Sequence, residues 1–274
     1  MSTLAIQPRR RRHAPSTLPL TPQRRRAFGL LVRTEIKLAL RRPVGVIVAL
    51  GIPFLLLVIF GSIPSMTRPS AALGGISFFT LYVPTLLVFV LIAVGLGTLP
   101  QTLATYRQQG VLRRMSTTPV PPSWLLAAQM TINVALAALS ITILVGLGAL
   151  AFGLGLPSTV GGWLVTLLSL VLTVAATLGL GLCAAALAST PQIAGAFQAM
   201  FFYPLAFFSG LYVPLQEIHS TALNDIAKVV PTGAGFNAIH ASFLGHSPGI
   251  EPLLVLAGWA IVFSLAAARL FRWE

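Results

Sequence analysis

The stretch Ile76-Ser-Phe-Phe-Thr-Leu-Tyr-Val-Pro-Thr-Leu-Leu-Val-Phe-Val-Leu-Ile-Ala-Val-Gly-Leu-Gly-Thr-Leu99 carries no Asp, Glu, Lys, Arg or His. A run of this kind is long enough to cross a bilayer, which takes about 20 apolar residues. Five more runs of similar character surround it: Val44–Ser62, Trp124–Leu150, Trp163–Ala188, Ile193–Tyr212 and Leu253–Phe271. Arg269 is the one charge within them, in the last turn of the sixth, where it can snorkel to the interface. The whole chain follows the same bias. Of its 274 residues 56% are hydrophobic and 8% charged, against about 25% charged in a soluble domain. That balance excludes a soluble globular enzyme and, for most of the chain, disorder. The reading is an all-α polytopic membrane protein with six transmembrane helices.

The basic residues orient it. There are 18 Lys and Arg against 5 Asp and Glu, and 11 of the 18 precede residue 43. With the N-terminus in the cytosol, 16 of the 18 fall on the cytosolic side, leaving Arg68 and Lys228 outside. The positive-inside rule selects this orientation, with both termini cytosolic. Topology and anionic headgroups account for the charge, so nucleic acid is not expected as a partner. Arg9 to Arg12 resemble the start of a signal peptide, but Ala14 to Gln23 lacks an apolar core. Residues 1–23 therefore read as a flexible basic cytosolic tail, and residues 24–274 as the transmembrane domain. Arg24–Arg42 reads as a basic amphipathic helix lying in the membrane interface, with Arg26, Arg33, Lys37 and Arg41 on one face and Glu35 as its only acid.

The connections differ in character. Pro100–Ser123 reads as the main cytosolic loop. Val213–Pro252 is unusually long for so compact a protein. Within it Leu223, Ile226, Ala227 and Val230 recur at helical spacing. Pro231 is expected to end that piece, and Gly233 and Gly235 to permit a turn before a second amphipathic piece. Neither piece can span, so both are expected to be short outer helices that re-enter the leaflet, shielded by protein, between spans five and six.

Several chemistries are missing. The two lysines, Lys37 and Lys228, precede Leu38 and Val229, so no Gly-Lys-Ser/Thr loop exists to cradle phosphates. The spans lack the carboxylates and histidines that proton-coupled carriers use. The lone Cys183 lies in an apolar run and reads as a packing residue. His219, His240 and His246 have no metal-ligand spacing. With Asp225 they are the only candidates for the competing reading, an integral membrane enzyme acting on lipids. A structural or regulatory membrane protein without transport is a third. Gly181, Ala185 and Ser189 form a small-xxx-small ridge suited to close helix packing. Gln129 and Asn133, one turn apart, suit interhelical hydrogen bonds or substrate contact. Phe78, Phe79 and Tyr82, with Phe201, Phe202 and Phe208, could together line an apolar path for an amphiphile.

Three stretches on this layout resemble one family. They are the basic helix Arg24 to Pro43; the loop Tyr106-Arg-Gln-Gln-Gly-Val-Leu-Arg-Arg-Met-Ser-Thr-Thr-Pro119; and Tyr203-Pro-Leu-Ala-Phe-Phe-Ser-Gly-Leu-Tyr-Val-Pro214 with the outer pieces after it. The chain resembles the permeases of type-2 ABC exporters, in the daunorubicin-resistance-like drug-export branch. The loop departs from the family pattern in having Gln108-Gln109 where an acidic residue often precedes the Gly. The resemblance implies a homodimer or heterodimer of permease chains in the plasma membrane. Each chain docks an ATP-binding subunit, which holds the ATP and Mg2+, and this chain has no cofactor of its own. An amphiphilic small molecule leaves outward, with a lipid or lipid-linked glycan as the competing cargo. Contacts to the ATP-binding subunit are expected at Arg107, Gln109, Gly110, Arg113, Arg114 and Met115, supported by Arg33, Glu35 and Lys37.

Overall fold

The computed structural model describes residues 22–41, 44–111, 114, 123–213 and 220–270. The tail before Pro22, Arg113, Met115 and His219 lie outside the described residues. The regular structure of the described residues is helical, apart from one isolated β-bridge between Ser70 and Ile76. In order the helices are α1 (Pro22–Arg41), α2 (Val44–Ser62), α3 (Pro64–Thr67), α4 (Phe78–Gln108), α5 (Ser123–Phe152), α6 (Val160–Leu187), α7 (Pro191–Phe208), α8 (Thr221–Val229), α9 (Pro231–Phe243) and α10 (Glu251–Leu270). Among the described residues α4, α5, α6 and α10 are long and apolar enough to cross a membrane. The starts are capped as their sequences suggest. Ser77, Thr159 and Thr190 accept the backbone N–H of Thr80, Gly162 and Ile193 at the heads of α4, α6 and α7.

Helix α4 is the centre. It packs against α2, α5, α6, α7 and α9, and Val83, Leu87, Val90, Leu91 and Leu96 are fully enclosed. A helix that is apolar all round is built for such burial. In lipid, however, burying leucine gains little, and association rests on close packing and interhelical hydrogen bonds. The packing is visible where α4 crosses α6. A Cβ on Gly181 would overlap the carbonyl oxygen of Gly95, and one on Gly95 would lie 2.7 Å from Thr177 Cβ. Small residues there let the two backbones touch. On the far side of α6, a Cβ on Gly179 would lie 2.9 Å from Phe263 Cβ, which seats α10 as closely.

Helix α6 adds a stripe of small hydroxyls. Thr166, Ser169, Thr173 and Thr177 are buried, and each donates to the carbonyl four residues back at 2.7–2.9 Å. Satisfied in this way, they cost no buried polar penalty and leave a thin surface. Helix α9 lies on it, with Ser242 Oγ 2.7 Å from Thr166 Oγ1. Helix α9 is only 13 residues long, yet ten of them are buried.

Three expectations are corrected. Pro100 does not end the second apolar helix: α4 runs on to Gln108, with Leu103 and Ala104 buried along the extension. A proline removes one hydrogen bond and crowds the preceding turn, and here the packed surroundings hold the helix together across it. Helix α7 stops at Phe208, short of Tyr212. Gly210 takes φ +80°, Leu211 N–H donates to Ala206 O and Gly210 N–H to Phe207 O. That is a Schellman stop, supplied by Ser209-Gly210. Finally, Gly233 and Gly235 make no turn. Pro231 is the first residue of α9, where its missing N–H costs nothing. Gly233 lies inside the helix, and its missing side chain lets α8 come close, since a Cβ there would overlap the Ala227 backbone.

Gly181→Val is expected to destabilise the fold by about 1–3 kcal/mol through overpacking against Gly95. Gly146→Val, at a site with nothing within 4 Å of a Cβ, is the control. Thermal unfolding in mild detergent should show a lower Tm for the first only.

Candidate functional site at the foot of α1, α4 and α5

The extension of α4 beyond Pro100 brings the loop of the sequence motif next to α1. Phe28, Leu31, Val32 and Glu35 fall at i, i+3, i+4 and i+7, one stripe of α1. Helix α1 packs on α5, and Phe28 meets Trp124 edge to face with centroids 5.9 Å apart. Glu35 is thus an acid placed on the packing stripe, 8% exposed. The Tyr106 hydroxyl of α4 donates to Glu35 Oε2 at 2.7 Å, and the Gln129 amide of α5 donates to the same oxygen at 2.5 Å. The chain of bonds continues into the membrane-spanning part. Asn133 Nδ2 donates to the Gln129 carbonyl at 2.8 Å, and the Thr98 hydroxyl of α4 donates to Asn133 Oδ1 at 2.8 Å. Three helices are joined by one polar relay.

Burial pushes the Glu35 carboxyl above its usual range, and the hydrogen bonds from Tyr106 and Gln129 draw it part of the way back. Among the described residues no salt bridge reaches it. A buried carboxylate held by two side-chain donors is costly to break, because both donors would be left short.

The other expected contact residues divide. Arg33 and Lys37 are exposed on α1. Gln109 is exposed, and its carbonyl accepts from Arg114 Nη2 at 2.9 Å. Gly110 follows with φ +65°, the left-handed turn that ends α4. Arg107 turns inward: its Nη1 donates to the carbonyls of Ala185 at 3.2 Å and Ala188 at 2.6 Å. These carbonyls lie at the end of α6, where the helix leaves acceptors unfilled and favours a cation. Arg107 is thus a cap that ties α4 to α6. Arg113 and Met115 lie outside the described residues.

The expected path residues have different surroundings. Phe79 is 1% exposed and packs on Phe152 at 5.9 Å. Gln129 and Asn133 are buried in the relay. Phe78 stacks on Tyr82 at 5.6 Å, beside Phe60, and Tyr82 donates to the carbonyl of Leu211, just past the Schellman stop, at 2.9 Å. Phe202 meets Phe89 at 5.5 Å. Phe78, Phe201, Phe202 and Phe208 keep partial exposure. Sequence reasoning missed Tyr106 and Thr98 as relay members. The available signal was an acid in register with an apolar stripe, which demands donors from whatever packs on it. Among the described residues no group of His, Cys, Asp and Glu could hold a metal ion.

Residues 26–244 match the family model described as ABC-2 type transporter. The chain belongs to this family. It is a membrane permease of the ABC-transporter type, a transport subunit. A search of the curated proteins finds no match. The match runs from within α1 to the end of α9, so the relay and the short helices α8 and α9 lie within the family region.

Two outcomes are expected for Glu35. Glu35→Ala should lower stability by about 1–3 kcal/mol, and Glu35→Gln, which keeps an acceptor for Tyr106, by less. The pH dependence has a definite sign. A carboxyl whose folded value is raised contributes its full stability below the ordinary 4.5 and loses it as pH rises through the raised value. The Tm of the wild type relative to Glu35→Gln should therefore fall with rising pH from 4.5 upward, read by thermal unfolding in detergent.

Proposed function

We propose that this chain is the transmembrane subunit of an ABC exporter that moves an amphiphilic small molecule outward. The reading rests on one observation above all, the Glu35 relay that ties the interfacial helix to the foot of α4 and to α5. In this reading α2 and α7 join α4, α5, α6 and α10 as six spans. The N-terminus and the loop after α4 face the cytosol, and α8 and α9 face outward. Two permease chains pair, and each meets an ATP-binding subunit that holds ATP and Mg2+. The absence of a phosphate-cradling lysine loop supports an external source of ATP energy.

The mechanics follow from the bonds. Arg33 and Lys37 face outward from α1 while Glu35 faces in. The ATP-binding subunit contacts the exposed basic face and the segment from Gln109 to Met115. A push on that segment reaches α4, which is one continuous helix of 31 residues. It reaches α1 and α5 through Tyr106 and Glu35, and α6 through Arg107. Elements so tied move as a rigid body. Motion of α4 against α7 would change the exposure of Phe78, Phe201, Phe202 and Phe208, the half-buried aromatics that an amphiphile could slide along. The small outer loops and compact chain favour a small amphiphile over a lipid or lipid-linked glycan, by resemblance to the drug-export branch.

The test is purification of the tagged chain in mild detergent from its native host, followed by ATP hydrolysis in lipid. A stoichiometric P-loop subunit should co-purify. Arg33→Ala/Lys37→Ala with Arg114→Ala should reduce permease-stimulated hydrolysis roughly tenfold, the scale of lost charge-assisted contacts. Absence of any ATPase, or hydrolysis unchanged by these variants, would contradict the proposal.

A further inference from the structure

A groove of about 370 Å³ opens between the end of α8, the side of α9 and the start of α10. This volume falls in the range of small-ligand sites. Its apolar lining includes Val229, Leu254 and Val255, and its polar lining Lys228, Asn237 and Glu251. Leu254 and Val229 are 60% and 59% exposed, so large apolar surface is left open there. Helix α10 is apolar enough to cross a membrane, and Glu251 is its first residue. With α10 crossing a bilayer, a groove at its first turn falls near the membrane–water boundary, where polar and apolar lining residues suit an amphiphile. Trp259 Nε1 donates to the Val229 carbonyl at 2.7 Å, pinning the end of α8 to α10.

The charges narrow the occupant. Lys228 Nζ is 2.9 Å from Asp225 Oδ1, and both side chains are well exposed. An exposed pair of this kind holds weakly. An ammonium also has three N–H donors, of which one is aimed at Asp225. Glu251, on α10, lines the same groove; its charge also favours the Lys228 ammonium, but it makes no salt bridge among the described residues. A single cation between two carboxylates suits a zwitterion. An anionic headgroup would gain one contact and meet two like charges. A quaternary ammonium could approach Glu251 but could donate no hydrogen bond to it, whereas a primary ammonium can.

We propose that this groove binds one phosphatidylethanolamine molecule, its phosphate on Lys228, its ammonium on Glu251, and an acyl chain along Val229, Leu254 and Val255. The lipid would wedge α8 and α9 against α10. The proposal depends on α10 lying in a bilayer and not on any ATP-binding partner, so its failure and that of the exporter reading are separable.

Trp259 supplies the probe. With Trp124, Trp163 and Trp273 replaced by Phe, Trp259 is the only remaining indole. The full chain is placed in phosphatidylcholine vesicles containing, at equal mole fraction, phosphatidylethanolamine, phosphatidylcholine or phosphatidylglycerol with brominated acyl chains. Quenching of Trp259 should indicate about a fivefold enrichment of phosphatidylethanolamine over the other two, the scale of a well-placed pair of ionic contacts. Lys228→Gln and, separately, Glu251→Gln should abolish that preference while leaving the unquenched emission maximum unchanged. Equal quenching by all three lipids, stronger quenching by phosphatidylglycerol, no quenching by any of them, or a preference that survives both charge variants would overturn the proposal.

Discussion

The contact of the Gly95 backbone with Gly181 is the constraint on which the rest depends. In water a leucine-rich helix is driven inward by its apolar surface. In a bilayer that force is absent between helices, and α4 holds the centre because its neighbours can come close enough to gain dispersion contacts along its whole length. The glycines of α4 and α6 permit the approach. The hydroxyl stripe of α6 keeps its surface thin and its polar atoms satisfied. Helices α9 and α10 then fit on the remaining faces of α6, through Ser242 and through Gly179. A bulkier residue at the crossing would move all three.

With α4 fixed, its extension past Pro100 has a functional consequence. It carries Tyr106 to Glu35 and Arg107 to the end of α6. The segment that the resemblance assigns to partner contact is thus attached on two sides before any partner arrives. Glu35 is the costly element of this arrangement, since a buried carboxyl weakens the fold as it ionises. A defined position of α1 relative to α4 is what the proposed coupling needs, and the Glu35 bonds supply it.

The helices were legible from their apolar runs, and α2 falls on the expected Val44–Ser62. Their ends were less so, because runs of hydropathy do not see backbone stops. Pro100 reads as a break and is held by packing. Ser209-Gly210 sits inside an apolar run that continues to Val213, yet its hydrogen bonds end α7 at Phe208. Gly233 reads as a turn, but its lack of a side chain serves a contact with Ala227. For the site, Glu35, Gln129 and Asn133 could each be singled out as polar residues in apolar company. Their union could not, since Glu35 is 71 residues from Tyr106 and 94 from Gln129. Arg107 shows the opposite difficulty. Its charge suggested an outward partner, whereas its bonds lead to unfilled carbonyls of the same chain.

The central claim is that the relay couples α1 to α4 and α5 during ATP-driven transport. A double-mutant cycle on permease-stimulated ATP hydrolysis tests it most directly, using Glu35→Ala, Gln129→Leu and the pair in the reconstituted complex. The account predicts strong non-additivity, with the double variant no worse than the more impaired single one. Additive losses would contradict it, since they would mean that Glu35 and Gln129 act on hydrolysis independently.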